Sequence, residues 1–402
     1  MTKNNPDFWL LKFTLLLTST LTIMAGATIA PSLPAMQNHF ANVENVEFWV
    51  RLLLTTPALL IALGAPVAGQ LVDTLGRKPL LIVSALLYGL AGSSGFVLNS
   101  LFQMLAGRAF LGLAVAGIMV SATTLIADYY QGDRRSSFMG LQAAFMSLGG
   151  VVFLSVGGFI ADINWRFPFL IYLFSWFLLP TIIWALYEPA SNSTQNPSTS
   201  ISSPDVEQTE VKTPFKLLGL IYGSALILQI VFYMIPVQLP FYLAQLSGAS
   251  ASQSGLAIAL VTLFAAIASM NYGKIKQKFS YVQILSISFV LVGLGYIGIG
   301  LVGNYNLILL VLIPAGLGLG MLTPNLNVWT TITVPAALRG RALGGLTTCI
   351  FLGQFLSPIV TQPLNQAIKL SGTYGLAGVL MAVLGGLFWI YQQKIARFSE
   401  SI

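Results

Sequence analysis

Twelve long apolar stretches recur along this 402-residue chain, and they constrain its fold more than any other feature. Each is about 20 residues long or longer, enough for a helix to cross the hydrocarbon core of a bilayer. Strands of a membrane barrel would instead alternate in polarity over segments of about 10 residues. We therefore predict an all-α membrane protein with helices near residues 10–35, 48–72, 79–98, 102–129, 137–160, 166–187, 215–246, 252–272, 279–301, 305–330, 340–367 and 373–395.

The basic residues are unevenly distributed between the two sides of these stretches. With the N-terminus inside, 15 of the 19 Lys and Arg residues face the cytoplasm, Arg51, Arg166 and Lys369 face the other side, and Arg108 lies within a stretch. The positive-inside rule then places both termini in the cytoplasm of a multi-pass inner- or plasma-membrane protein. The net charge of +7 thus reflects topology. We expect the lipid bilayer and a small-molecule substrate as partners of a monomer, and no nucleic acid.

A polar segment divides the chain into two halves. Residues 188–214 are rich in Ser, Thr, Pro and acidic residues and could not bury a core. We predict an N-terminal six-helix bundle over 1–187, a cytoplasmic linker over 188–214, and a C-terminal six-helix bundle over 215–402. Several residues recur at an offset of 204 positions, which indicates two related halves: Gly89 and Gly293, Gly112 and Gly316, Arg135 and Arg339, Gly140 and Gly344.

The loop after the second stretch, GQLVDTLGRKPLL, is unusually rich in charge. Its glycines, leucine and charged residues match a loop signature at Gly69, Leu71, Asp73, Gly76, Arg77 and Lys78. Arg108 and Gly112 match a helix 4 signature, and Pro31 and Pro34 match the end of helix 1. In these motifs the chain resembles the major facilitator superfamily, and in particular its drug and metabolite efflux branch, which is similar to drug–proton antiporters. The resemblance implies a major facilitator fold, with twelve transmembrane helices in two pseudo-symmetric six-helix bundles.

The resemblance also implies a gate in this loop, which clamps the two halves when the cavity faces outward. Asp73 could accept hydrogen bonds from the N–H groups that begin helix 11, near Arg339, while Arg77 could pair with Asp128. Gly69 would let helix 2 approach a neighbour closely. The gating set is Gly69, Asp73, Gly76, Arg77, Lys78, Asp128, Arg135 and Arg339. The alternative is that the bases only fix the topology.

Candidate cavity residues lie on helices 1, 4, 7 and 10, which line the cavity in the family. Arg108 is the one charged residue well inside a stretch, and it needs polar partners. Hydroxyls of helix 1 could provide them, either as a structural tie or as part of substrate or proton handling. The other candidates carry no charge and suit an uncharged or amphipathic solute: Thr22, Met24, Met119, Gln229, Phe232, Tyr233, Gln238, Asn325 and Asn327.

The acidic residues leave the energy source open, because every one lies in a predicted loop or at a helix end. Protons are a candidate coupling ion through Asp73 and Asp128 or through Arg108, and uncoupled transport is the alternative. Gly157 and Gly158 match the last two residues of the antiporter motif on helix 5, but the Gly-Pro pair that precedes them in the family is absent. This absence weakens the hypothesis of proton exchange. Five glycines are predicted to allow close helix packing: Gly112, Gly149, Gly150, Gly157 and Gly158.

The leading functional hypothesis is a secondary active transporter that exports a small organic solute by alternating access. The alternatives are a facilitator or importer of a neutral metabolite and a transport-inactive membrane receptor or sensor. An enzyme is disfavoured, because the chain has one His and one Cys and shows no nucleophile–base pair. We expect no cofactor and no metal.

Overall fold

The chain folds into long helices that run back and forth across the molecule. The computed structural model describes residues 8–189, 215–335 and 338–392, and these ranges contain helices and no strand. The first ten membrane-spanning helices are α1 Trp9–His39, α2 Val46–Leu75, α3 Arg77–Val97, α4 Leu101–Tyr129, α5 Gly132–Ile163, α6 Phe167–Ala185, α7 Phe215–Ser247, α8 Ala251–Met270, α9 Tyr281–Leu301 and α10 Tyr305–Thr333.

The last helical segment, Arg339–Ile390, contains two helices rather than one. Lys369 has φ 63° and ψ 170°, which no helix accommodates, so α11 covers residues 339–368 and α12 covers 370–390. The prediction of twelve helices is therefore confirmed. The predicted linker lies outside the described residues, except for positions 188 and 189.

Proline breaks the first helix of each half. In α1 the regular helix ends at Ala27, because Pro31 has no N–H for the carbonyl four residues earlier. In α7 the regular helix ends at Phe232, four residues before Pro236. Each break leaves backbone carbonyls without an intrahelical donor, a state that is costly within a bilayer.

Buried tyrosines donate hydrogen bonds at and beside both breaks, where the Ala25 and Val231 carbonyls lack a helical donor. In each half, one tyrosine from the third helix and one from the sixth donate their hydroxyls to carbonyls of the broken helix. These bonds join Tyr88 to Leu21 O at 2.8 Å, Tyr172 to Ala25 O at 3.2 Å, Tyr296 to Val231 O at 2.6 Å and Tyr374 to Met234 O at 2.9 Å. The two halves therefore share one internal arrangement.

Two glycines at equivalent positions make the same kind of close helix contact in the two halves. A Cβ on Gly112 of α4 would lie 2.5 Å from the carbonyl oxygen of Pro57 on α2. A Cβ on Gly316 of α10 would lie 2.7 Å from the carbonyl oxygen of Val261 on α8. Gly316 lies 204 positions after Gly112, and Val261 lies 204 positions after Pro57. The offset found in the sequence therefore relates equivalent helix contacts in the two halves.

The two bundles meet towards one end of the molecule. We call this end the closed face, defined by Asp162, Ser250 and Gln362, and the other end the basic face, defined by the bases Arg77, Arg135, Lys276 and Arg339. On the closed face α5 packs on α8, and α2 packs on α11. Near the basic face, Gly69 and Gly140 have no atom within 4 Å of an added Cβ. The predicted close approach at Gly69 is thus wrong for this arrangement, because the bundles are apart there.

The glycine repeat predicts equal sensitivity in the two halves. Gly112→Leu and Gly316→Leu each force a side chain into a neighbouring backbone, which should destabilise the protein by about 1–3 kcal/mol. Thermal unfolding of the purified protein in micelles measures this loss. Gly140→Leu and Gly344→Leu are the matched controls, since both sites are open and share the same offset. Similar melting temperatures for all four variants would contradict the repeat.

Candidate functional site

A cavity of about 300 Å³ lies between the two bundles. Helices α1 and α5 of the first half and α7, α8 and α10 of the second half form its walls. The described lining contains no charged side chain, and its polar groups are hydroxyls and one amide. The principal lining residues are Ile23, Met146, Ser147, Leu228, Gln229, Phe232, Thr262, Ser269 and Thr323.

Glycines of helix α5 that lie between this cavity and the closed face pack closely against α1 and α8. A Cβ on Gly149 would lie 3.0 Å from Thr20, and one on Gly150 would lie 3.1 Å from Ile23 and 3.2 Å from Thr262. Nearer the closed face, a Cβ on Gly157 would lie 2.5 Å from the Thr28 carbonyl oxygen. The contact of Gly150 with Thr262 joins the two bundles, while the contacts with Thr20, Ile23 and Thr28 pack α5 against α1 within the first bundle.

Only some of the predicted cavity residues line this space. Gln229 and Phe232 do so. Met24, Gln238 and Asn325 are fully buried instead. Predicting them as cavity residues is wrong, because Gln238 pairs with Thr361 and Asn325 with Tyr272 and the Tyr281 carbonyl.

The remaining candidates are spread over the neighbouring helices. The Thr22 hydroxyl donates to the Ser19 carbonyl within α1, and the Asn327 amide donates to the Thr323 carbonyl within α10. Met119 packs half-buried against the core. The Tyr233 hydroxyl lies beside Gly26, 2.8 Å from where a Cβ would stand, and so reaches from the second bundle to the first.

Arg108 is buried inside the first bundle, with 1% of its surface exposed, and does not line the cavity. Its guanidinium donates to the carbonyl of Leu53 at 3.0 Å, to the carbonyl of Ala25 at 2.6 Å and to the Tyr172 hydroxyl at 2.9 Å. The predicted hydroxyl partners on α1 are wrong, because those that are described bond to carbonyls of their own helix. Arg108 is therefore a tie among α1, α2, α4 and α6.

The prolines explain why an arginine is needed there. Leu53 lies four residues before Pro57, which has no N–H, so the Leu53 carbonyl has no helical donor. Ala25 is among the last residues of the regular part of α1, where carbonyls also lack donors. In the second half, Leu312 and Val261 replace Arg108 and Pro57 together. The second half therefore lacks both the buried arginine and the proline that leaves a carbonyl without a donor.

The predicted ion pair of the gating loop is confirmed. Arg77 Nε lies 3.1 Å from Asp128 Oδ2, which joins the start of α3 to the end of α4. Gly76 takes a positive φ of 92° between α2 and α3, a conformation that favours glycine. The Glu188 carboxylate accepts from the N–H groups of Arg77 and Lys78, both at 2.7 Å, and so caps α3. Glu188 is the first residue of the predicted linker, and nothing in the sequence pattern predicts this capping role.

The structure does not bring Asp73 to helix α11. Asp73 is exposed, and residue Leu338, which precedes α11, makes no side-chain cap. Arg135 is exposed too, and Arg339 donates to the Thr331 carbonyl within its own half. Because the bundles are apart on the basic face, the latch at Asp73 is not formed in this arrangement and stays a prediction for another one.

The closed face contains a buried arginine, which the charge distribution of the sequence assigns to the side opposite the cytoplasm. Arg51 lies in the second turn of α2 with 4% of its surface exposed. It pairs with Glu47 at 3.5 Å and stacks 4.5 Å from the Phe241 ring of α7. Glu47 in turn accepts a hydrogen bond from Gln362 of α11 at 3.0 Å. These contacts cross from one bundle to the other.

Comparison with known proteins agrees with the fold. A family profile described as Major Facilitator Superfamily matches residues 15–358 and 221–397. The chain is 23% identical to the "Multi-drug resistance efflux pump PmrA homolog" of Lactococcus lactis, over 90% of this chain and 89% of that protein. It is 28% identical to the "MFS-type efflux transporter pyiT" of Pyricularia grisea over 42% of this chain, but spans only 30% of that protein. The solved structure of a D-xylose-proton symporter superposes with a TM-score of 0.77 at 16% identity, covering 94% and 97% of the two chains.

The tie at Arg108 yields a double-mutant prediction. Arg108→Met should destabilise the protein by about 1–3 kcal/mol for each carbonyl left unpaired. Pro57→Ala returns an N–H to the Leu53 carbonyl, so the double variant should recover part of that loss. Unfolding of the purified variants measures both effects, with Leu312→Met as the control in the second half. A double variant no more stable than Arg108→Met would refute the account of Pro57.

Proposed function

The chain belongs to the Major Facilitator Superfamily, and from this premise we propose that it exports a small uncharged or amphipathic organic solute by alternating access. The uncharged cavity between the two bundles carries the proposal. Apolar walls with a few amide and hydroxyl groups are typical of sites that bind such solutes. Gln229, Thr262 and Ser269 supply hydrogen bonds, while Phe232 supplies an aromatic surface.

The charge distribution supports cytoplasmic loading. The basic face carries most of the Lys and Arg residues that the structure describes, so we assign it to the cytoplasm. The bundles are apart near this face and in contact at the closed face. A solute from the cytoplasm would therefore enter the cavity in the arrangement seen here, and export would require the closed face to open.

The direction and the coupling ion remain parts of the proposal. The two relatives are named as efflux pumps or transporters, and we extend export to this chain on that basis. We propose protons as the coupling ion, with Asp73 and Asp128 on the basic face as the exchanging carboxylates. A facilitator of a neutral metabolite is the second candidate, because the described lining of the cavity contains no carboxylate.

Dye uptake into inverted membrane vesicles tests this function. A panel of uncharged and amphipathic fluorescent dyes should include some that accumulate, and Phe232→Ala should weaken the apparent affinity for them about tenfold through lost aromatic contact. Phe159→Ala is the matched control, because this exposed phenylalanine of α5 lies outside the cavity.

Collapse of the pH gradient in the same vesicles tests the coupling. Loss of accumulation would support proton exchange, whereas unchanged equilibration of dye would favour the facilitator. If the folded protein accumulated and equilibrated none of the dyes, the proposed function would be wrong.

A further inference from the structure

The N-terminus of helix α8 has a partial cap of its own. The Ser250 hydroxyl accepts from the Gln253 N–H, and the Gln253 side chain accepts from the Ser250 N–H, which forms a capping box. This arrangement satisfies the N-cap residue and the third residue of the helix. The N–H groups of Ala251 and Ser252, the first two residues of α8, need another acceptor.

Asp162 is that acceptor, and it belongs to the other bundle. Its Oδ1 accepts from the Ala251 N–H at 2.7 Å, and its Oδ2 accepts from the Ser252 N–H at 3.2 Å. Asp162 lies in the last turn of α5, so these bonds cross the seam between the two halves. A carboxylate at a helix N-terminus is also favoured by the helix dipole.

Two glycines bring α5 close enough for this contact. A Cβ on Gly158 would lie 2.8 Å from the Ala251 carbonyl oxygen, and one on Gly255 would lie 2.6 Å from the Leu154 carbonyl oxygen. Gly158 precedes Asp162 by one helical turn, and Gly255 follows Ala251 by one turn. The glycine pair therefore sets the approach of the helices, and the carboxylate holds the end of α8.

Other parts of the chain show that this contact is not a general feature of its helices. Helix α9 begins with the same capping box, formed by Ser280 and Gln283, yet no described carboxylate bonds to its first two N–H groups. The offset of 204 places Gln366 at the position equivalent to Asp162. There, the seam between α2 and α11 contains a cavity of about 220 Å³ lined by Glu47, Gln362 and Gln366.

We propose that Asp162 is a latch of the closed face, acting beside the bond between Glu47 and Gln362, and this inference rests on the proposed function. For the solute to leave through that face, α5 and α8 must part and both hydrogen bonds must break. The latch then biases the protein towards the arrangement open at the basic face. Its position is diagonal to the latch predicted at Asp73: one joins α5 to α8 on the closed face, and the other would join α2 to α11 on the basic face.

Pulsed electron–electron distance measurements on the full chain test the latch. In a Cys349→Ser background, spin labels at Asn42→Cys and Gly303→Cys report separation of the bundles at the closed face. A second labelled pair, Gln131→Cys and Lys278→Cys, reports separation at the basic face. Each pair is measured with Asp162, with Asp162→Ala and with Asp162→Asn, which retains the size of the side chain and removes its charge.

Asp162→Ala should raise the population with a long closed-face distance about threefold, since loss of an exposed helix cap weakens it modestly. Asp162→Asn should also raise the population with a long closed-face distance. In both variants the basic-face distance should shorten. Glu44→Ala is the matched control, because it removes a negative charge from an exposed position on the same face that makes no described bond across the seam.

Unchanged distances in Asp162→Ala would overturn the latch, whatever dye transport by that variant shows. An equal change in Glu44→Ala would also overturn it, because the effect would then be one of net charge. Changed distances in a protein that transports no dye would uphold the latch and count against the proposed function.

Discussion

The packing of the broken helices depends on satisfying backbone carbonyls that lie within the membrane. Prolines interrupt α1 and α7, and the freed carbonyls cannot bond to water in lipid. Tyr172 donates to the Ala25 carbonyl and Tyr296 to the Val231 carbonyl, which lack a helical donor at the two breaks. Tyr88 and Tyr374 donate to the neighbouring carbonyls of Leu21 and Met234. The irregular helices next to the cavity are therefore held in defined positions.

The same requirement explains the chemistry of the cavity. Arg108 is the charged residue that the sequence offers as a substrate contact. Its three guanidinium nitrogens instead donate to the carbonyls of Ala25 and Leu53 and to the Tyr172 hydroxyl. The described cavity lining is left with one amide, hydroxyls and apolar groups. A cavity lined by uncharged groups suits a transporter of neutral or amphipathic solutes, because the solute then meets no charge where it binds.

The sequence predicted the helices, the repeat and the pair of Arg77 with Asp128, since hydrophobic length and motif spacing encode these directly. The sequence did not predict the partners of Arg108, because every residue has a backbone carbonyl and the residue type does not show which one lacks a donor. Pro57 was the available signal, since it leaves the carbonyl of Leu53, four residues earlier, without a helical donor. The tyrosine bonds recur at offsets of 208 and 202 rather than 204, so the spacing of the glycine repeat does not predict them. The contact of Asp162 joins residues about 90 positions apart, and only the folded chain reveals it.

Alternating access of one cavity is the central claim, and the reactivity of a single cysteine at Thr262 tests it most directly. Thr262 lies in the cavity wall on α8. In a Cys349→Ser background, Thr262→Cys should react with a membrane-impermeant thiol reagent from the cytoplasmic side of the resting protein. It should become reactive from the opposite side only while a transported dye is present. Reaction from neither side, or constant reaction from the opposite side alone, would contradict the account.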